Sequence, residues 1–158
     1  MIVINTHSCI DVITNSSSEL FICSTDKSLE VIKDIIITFV IAYDKAYEYG
    51  KTFEDMFEEP YILEELDEDF IETLGSYGKF DYLKFPKFNE FYHKEGGYDK
   101  CHKEWQDAIK VWMELNKETL EKDYKGKVII RSASDNSIPY GLMEVICDIF
   151  NADRTHLG

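Results

Sequence analysis

Arginine is almost missing from this chain. Only Arg131 and Arg154 occur in 158 residues, and 17 lysines and arginines together face 31 aspartates and glutamates, for a formal charge of -14. Binding to a phosphate backbone or an anionic bilayer needs clustered cations. Here the lysines are scattered among carboxylates, which excludes general nucleic-acid binding and attachment to an anionic membrane. A basic surface on another protein is the partner that this charge suits.

Cysteine is sparse as well. Cys9, Cys23, Cys101 and Cys147 form no CxxC pair, and nothing selects among the three disulfide pairings that four cysteines allow. Met1 leads into a short apolar run and polar residues rather than a basic start and a long apolar stretch, so no signal peptide is read and reduced thiols in a cytoplasm are expected. Long hydrophobic runs are lacking too. The stretch from Ile35 to Ala42 is interrupted by Thr38, far short of the roughly 20 apolar residues that span a bilayer. A glycine-rich phosphate loop, a nucleophile elbow and an HExxH pair are absent, and no cofactor is expected. His93, Cys101 and His102 carry metal-capable atoms, but adjacent Cys101 and His102 do not converge from one helix face, so no metal site is read there. Asp67 and Asp69 start like a calcium loop without its glycine or its spaced terminal glutamate.

What is present suffices for a core, since 44% of the residues are apolar. The reading is a single acidic α+β domain over 1–158. A small mixed or antiparallel sheet of about three strands packs against long helices in two layers, with an acidic helical insertion at about 52–74. Ile2-Val3-Ile4, Leu20-Phe21-Ile22-Cys23 and Lys127-Val128-Ile129-Ile130-Arg131 are β-prone runs. Ser28 caps a helix expected to reach Tyr49 and to stop at Gly50, with Leu29, Ile32, Ile36, Phe39, Val40, Tyr43 and Tyr47 on its apolar face. The run Ile35-Ile36-Ile37 disfavours a helix locally, and the longer periodicity outweighs it. A second long helix is expected over Asp99 to Tyr124, buried through Trp105, Ala108, Ile109, Trp112, Leu115, Thr119 and Leu120. A last one follows Pro139, with Leu142, Val145, Ile146, Ile149 and Phe150 inward. The aromatic stretch between Gly75 and Gly97 reads as a connector packed over the domain.

Charge is concentrated between Phe53 and Glu72. Ten carboxylates fall there with no lysine or arginine between Lys51 and Lys79, leaving 21 acidic against 17 basic residues in the rest of the chain. Met56, Phe57, Tyr61, Ile62, Leu66, Phe70 and Leu74 interleave with them, which predicts two short helices split near Pro60. One face docks, and Glu58, Glu59, Glu64, Glu65, Asp67, Glu68 and Asp69 form the candidate protein-interaction surface.

Three further segments are more polar than packing requires: residues 15–19, 131–137 and 154–158. If strand 20–23 lies beside strand 127–131, they converge. Asn15, Ser16, Ser18, Glu19, Arg131, Asn136 and Arg154 are then candidate ligand-binding residues. A catalytic reading takes Ser17 as nucleophile, His156 as base and Asp135 or Glu19 as its orienter. The competing reading is capping and loop-to-loop hydrogen bonding within the fold.

Three of these stretches carry a resemblance. Asp11-Val12-Ile13-Thr14-Asn15-Ser16-Ser17-Ser18-Glu19-Leu20-Phe21, Asp135-Asn136-Ser137-Ile138-Pro139-Tyr140 and Arg154-Thr155-His156-Leu157-Gly158 resemble small proteins of the crAss-like tailed phages of gut Bacteroidales. That group has no established activity. The resemblance implies a phage-encoded protein of the host cytoplasm or the virion and supplies no catalytic assignment. Two functions stand as expectations. The first is a non-enzymatic protein-interaction factor, or a virion-associated protein, acting through the acidic surface on a basic host or phage protein. The alternative is a small enzyme or ligand-binding protein built on the three polar segments. Neither oligomeric state nor partner identity is legible.

Overall fold

Strand β1 (Ser18–Cys23) is built on Leu20-Phe21-Ile22-Cys23, a run with no polar alternation, so both of its faces must be buried. All four side chains are at most 4% exposed. The computed structural model describes residues 18–133 and 138–157. The strand expected at Ile2-Val3-Ile4, together with Asn15, Ser16, Ser17, Asp135, Asn136 and Gly158, lies outside them. Antiparallel neighbours flank β1 on either side: β3 (Val128–Arg131) and β4 (Ala152–Leu157). The two-residue strand β2 (Tyr61–Ile62) pairs with β3, giving the order β2-β3-β1-β4. The expected α+β architecture is present, a small antiparallel sheet packed against helices that include a long one. Among the described residues the sheet has four strands rather than about three, because Tyr61–Ile62 and the terminal polar segment add strands to the expected β1 and β3.

Helix α1 (Leu29–Tyr47) starts where the Ser28 hydroxyl accepts the Val31 N–H at 3.3 Å. It ends at Glu48, held in the left-handed region at φ 53°, two residues before the glycine expected to stop it. Its buried stripe is Ile32, Ile36 and Val40, while Phe39 is only half-buried at the edge of the core. The isoleucine run remains helical because burial outweighs its local preference.

The acidic stretch does hold two short helices on either side of Pro60, but they are shorter and farther apart than expected, with an extended segment between them. A four-residue helix, α2 (Phe53–Met56), carries a reciprocal cap in which Thr52 and Asp55 satisfy one another's N–H groups. The chain then runs extended through Pro60, bridges Phe57 to Ser132 and pairs Tyr61 and Ile62 with β3. Proline cannot continue the helix, and the Tyr-Ile pair satisfies the otherwise open β3 edge. Helix α3 (Glu68–Ser76) begins only at Asp67, whose Oδ1 accepts the Phe70 N–H at 2.7 Å. The short α4 (Asn89–Tyr92), the long α5 (Gly97–Tyr124) and α6 (Tyr140–Phe150) complete the α-helices of the described residues, and a single 3-10 turn lies at Asp81–Leu83.

Strand alternation divides the interior in two, and each face of the sheet forms its own sheet-on-helix pair of layers. Phe21, Cys23, Val128 and Ile130 pack on α1, α2 and α6. Leu20, Ile22 and Ile129 pack on α3 and α5, where Phe80 and Phe85 of the aromatic connector are buried against Trp112. The connector covers that core as expected. The indole Nε1 of Trp105 donates to the Pro86 carbonyl at 2.8 Å, and that of Trp112 to Leu83 at 3.1 Å.

Two core groups make stability sensitive to alkali. Burial, and secondarily Cys147, pushes the Cys23 thiol up to about 12 from an ordinary 9.0. Burial first, then Tyr82, Asp123 and Asp153, pushes the Tyr124 phenol up to about 12 from 10.0. The unfolded chain releases both protons earlier than the folded one, so their contribution is intact below pH 9 and declines as pH rises through 9–12. Urea denaturation between pH 8 and 11 is expected to show falling stability, with the decline shallower in Cys23→Ala.

Candidate functional site

Antiparallel pairing brings the start of β1 to the ends of β3 and β4, so the described parts of the three polar segments do meet. Leu20 lies opposite Arg131 on one side, and Glu19 lies opposite His156 and Ser18 opposite Leu157 on the other. Their side chains nevertheless divide between the two faces of the sheet. Glu19, Arg154 and His156 share the face of Phe21, toward α6, whereas Arg131 and Thr155 share the face of Leu20, toward α5. A single pocket holding both Arg131 and His156 is therefore not formed, and the two guanidinium groups do not make a joint fork.

Glu19 is the centre of this end of the sheet. It is 6% exposed. Its Oε1 is 2.8 Å from His156 Nδ1 and its Oε2 is 3.9 Å from Arg154 Nε, while its backbone N–H donates to the Ser132 hydroxyl at 2.7 Å. Ser132 lies within the polar segment 131–137 and belongs to this site, although it is not among the residues that the sequence singles out. Its signal is register, since it continues β3 directly opposite Glu19, and its backbone N–H donates to the Glu19 carbonyl at 2.9 Å. Arg154 also contacts the Met143 sulfur at 3.2 Å and lies 5.8 Å from the Tyr140 ring centre. Arg131 lies over the Tyr61 ring instead.

This arrangement is suited to fastening β4 onto β1. A carboxylate fixes the His156 imidazole through Nδ1, which is how a base is oriented, but among the described residues no hydroxyl or thiol hydrogen-bonds that ring. The Ser132 hydroxyl stands on the other side of Glu19 and is occupied by its N–H. The thiol of Cys147 is raised from 9.0, chiefly by burial and against the pull of Arg154, so it is a poor nucleophile. No group of three or more histidine, cysteine, aspartate or glutamate side chains able to hold a metal ion occurs among the described residues.

The acidic residues meet solvent. Glu58, Glu59, Glu64, Glu65, Asp67, Glu68 and Asp69 are exposed, while Phe53, Met56, Phe57, Leu63, Phe70, Ile71 and Leu74 of the same stretch are buried. They do not form one patch. The Glu58 N–H bonds the Arg131 carbonyl at one end of β3, and the Leu63 N–H bonds Lys127 at the other. The two carbonyls are four residues apart on β3, which at about 3.3 Å per residue places the two groups roughly 13 Å apart. Glu59 pairs with Lys33 of α1 at 2.6 Å, and Glu68 with Lys110 of α5 at 3.3 Å. Glu64, Glu65 and Asp69 form no ion pair among the described residues. Asp67 serves as the α3 cap as well as adding charge.

The half that reaches α5 borders a groove of about 300 Å³. Leu66 and Met113, both half-buried, and the buried Leu120 form its floor, and Glu65, Glu114 and Glu121 stand at its rim with Lys117 and Lys125. Among the described residues no helix is long and apolar enough to cross a membrane. Comparison with protein-family models, with curated proteins and with solved structures finds no match for this chain.

Proposed function

We propose that this chain is a non-enzymatic, phage-encoded protein-interaction factor whose carboxylate surface around residues 64–69 engages a basic surface of a host or virion protein. The observation that carries the reading is the division within one short segment. Leu63, Phe70, Ile71 and Leu74 are buried and hold it rigidly on the sheet, while Glu64, Glu65, Glu68 and Asp69 face water. Carboxylates fixed in this way keep a steady local potential, which raises the rate of encounter with a cationic partner and is screened by salt. The Glu19–His156–Arg154 set serves the fold in this reading.

The test uses a protein retained by the chain in a native pull-down from infected cells. Its association rate is measured across a salt series for the wild type and for a variant carrying Glu64→Lys, Glu65→Lys, Glu68→Lys and Asp69→Lys. Asp67 is kept because it caps α3. The expected result is a rate that falls as salt rises in the wild type and is at least about tenfold lower in the variant at low ionic strength. Equal rates in both proteins at every salt concentration overturn the reading.

A further inference from the structure

The groove between residues 65–66 and α5 has a floor and a rim of opposite character. We infer that it receives a lysine or arginine side chain from a basic amphipathic segment of another protein, an inference that rests on the acidic-surface reading above. Leu66 and Met113 offer apolar surface that a solvated carboxylate cluster alone would not need. A long cationic side chain satisfies both parts at once, because its methylenes cover the floor while its head reaches the rim. Met113 adds adaptability, since its unbranched thioether can follow the shape of the stem.

Charge selects a cation over an anion. Three glutamates and two lysines line the groove. Outside the rim, Glu64, Glu68 and Asp69 deepen the negative potential, and only Glu68 is committed to a lysine among the described residues. A volume of about 300 Å³ is at the small end of the roughly 300–1,000 Å³ of small-molecule pockets, which suits one side chain better than a larger ligand.

The neighbouring surface indicates the rest of the partner. Val111 and Leu115, one turn apart on α5, are 62% and 80% exposed. Glu114 and Glu118 are exposed on the same helix between them and the groove. A segment crossing α5 therefore meets carboxylates and an apolar pair in succession. That pattern is complementary to a helix bearing arginines and leucines at spacings of three and four.

The experiment uses two defined probes, an amidated 15-residue helix-forming peptide of arginine, leucine and alanine, and decalysine. Affinity and backbone amide shifts are recorded for the wild type, for Glu114→Lys with Glu121→Lys, for Leu115→Ser, and for Glu54→Lys with Glu58→Lys on the α1 side. The expected result is peptide-induced shifts at residues 65–66 and 113–121. The groove pair should lose at least about tenfold in peptide affinity and Leu115→Ser about threefold, with the α1-side pair changing less than about twofold. Leu115→Ser keeps the charge and alters an exposed position, so it reads the contact even if the glutamate pair disturbs folding. If both probes bind alike, and the two charge-reversed pairs weaken them equally, the groove inference is overturned and the broad acidic surface survives. If neither probe binds at low salt, both readings fall together.

Discussion

Trp112→Ala is expected to cost about 3–5 kcal/mol of folding stability. The indole is 6% exposed. Its ring centroid lies 5.1 Å from Phe80 and 4.8 Å from Phe85, the latter edge-to-face. Truncation leaves a cavity that two neighbouring rings cannot close without moving, and such cavities add to the lost transfer energy. It also removes the donor for the Leu83 carbonyl, which adds a cost wherever water cannot replace it. Trp112→Phe separates the two contributions, because it keeps most of the ring and deletes the N–H. Urea denaturation followed by circular dichroism and by the fluorescence of Trp105 measures the loss. A value below about 1 kcal/mol would remove Trp112 from the core of this face. Phe39→Ala should cost less than Trp112→Ala, since Phe39 is half-buried beside Ile32, Ile36 and Val40.

The long elements were legible because each carried a pattern many residues long. Trp105, Ile109, Trp112 and Leu120 recur at helical spacing along α5, and all four are buried. Leu115 falls close enough to that stripe to be assigned to it, yet it is 80% exposed, which no single-chain periodicity reveals. The unalternating Leu20-Phe21-Ile22-Cys23 also contained a signal for helices on both faces of the sheet, since a half-solvated strand would show polar residues at every second position. Short elements were harder. Two residues, Tyr61 and Ile62, make β2 only because β3 presents an edge to pair with. In Arg154-Thr155-His156 the alternating polar residues look like a tail until Glu19 and the β1 register give them partners.

The candidate site shows the same limit. Sequence position correctly brought residues 18–19, 131–133 and 154–157 to one end of the sheet, but a pleated strand sends neighbours to opposite faces. Proximity along the sheet therefore did not become a shared pocket for Arg131 and His156. The pairing of Glu19 with His156 was within reach as one of two options. The participation of Ser132 was not, since it depends on β1–β3 register. Likewise, the acidic run is continuous in sequence but divides around β2, half toward Lys33 and half toward Lys110. The proposed interaction surface thereby narrows to the residues that α3 and α5 hold together.

Gly75→Ala should destabilise the protein, against the usual sign. Gly75 lies inside α3, where alanine is ordinarily favoured over glycine by about 1 kcal/mol. Here a Cβ would meet the Cε1 and Cζ atoms of Phe85 in the space the ring occupies. That ring is 5% exposed and is packed against Phe80 at 5.6 Å and Trp112 at 4.8 Å between centroids. It has little room to retreat, and overpacking of this kind costs about 1–3 kcal/mol. The two effects oppose one another, and the clash wins because the obstacle is a confined aromatic ring rather than the flexible end of a surface side chain. The expected net loss is about 1–2 kcal/mol by equilibrium denaturation. A double-mutant cycle with Phe85→Leu isolates the cause, since in that background Gly75→Ala should become neutral or stabilising, a coupling of at least about 1 kcal/mol. Stabilisation by Gly75→Ala in the wild-type background would show instead that Phe85 yields readily, and that the close approach of α3 to the aromatic connector is not set by the missing side chain at position 75.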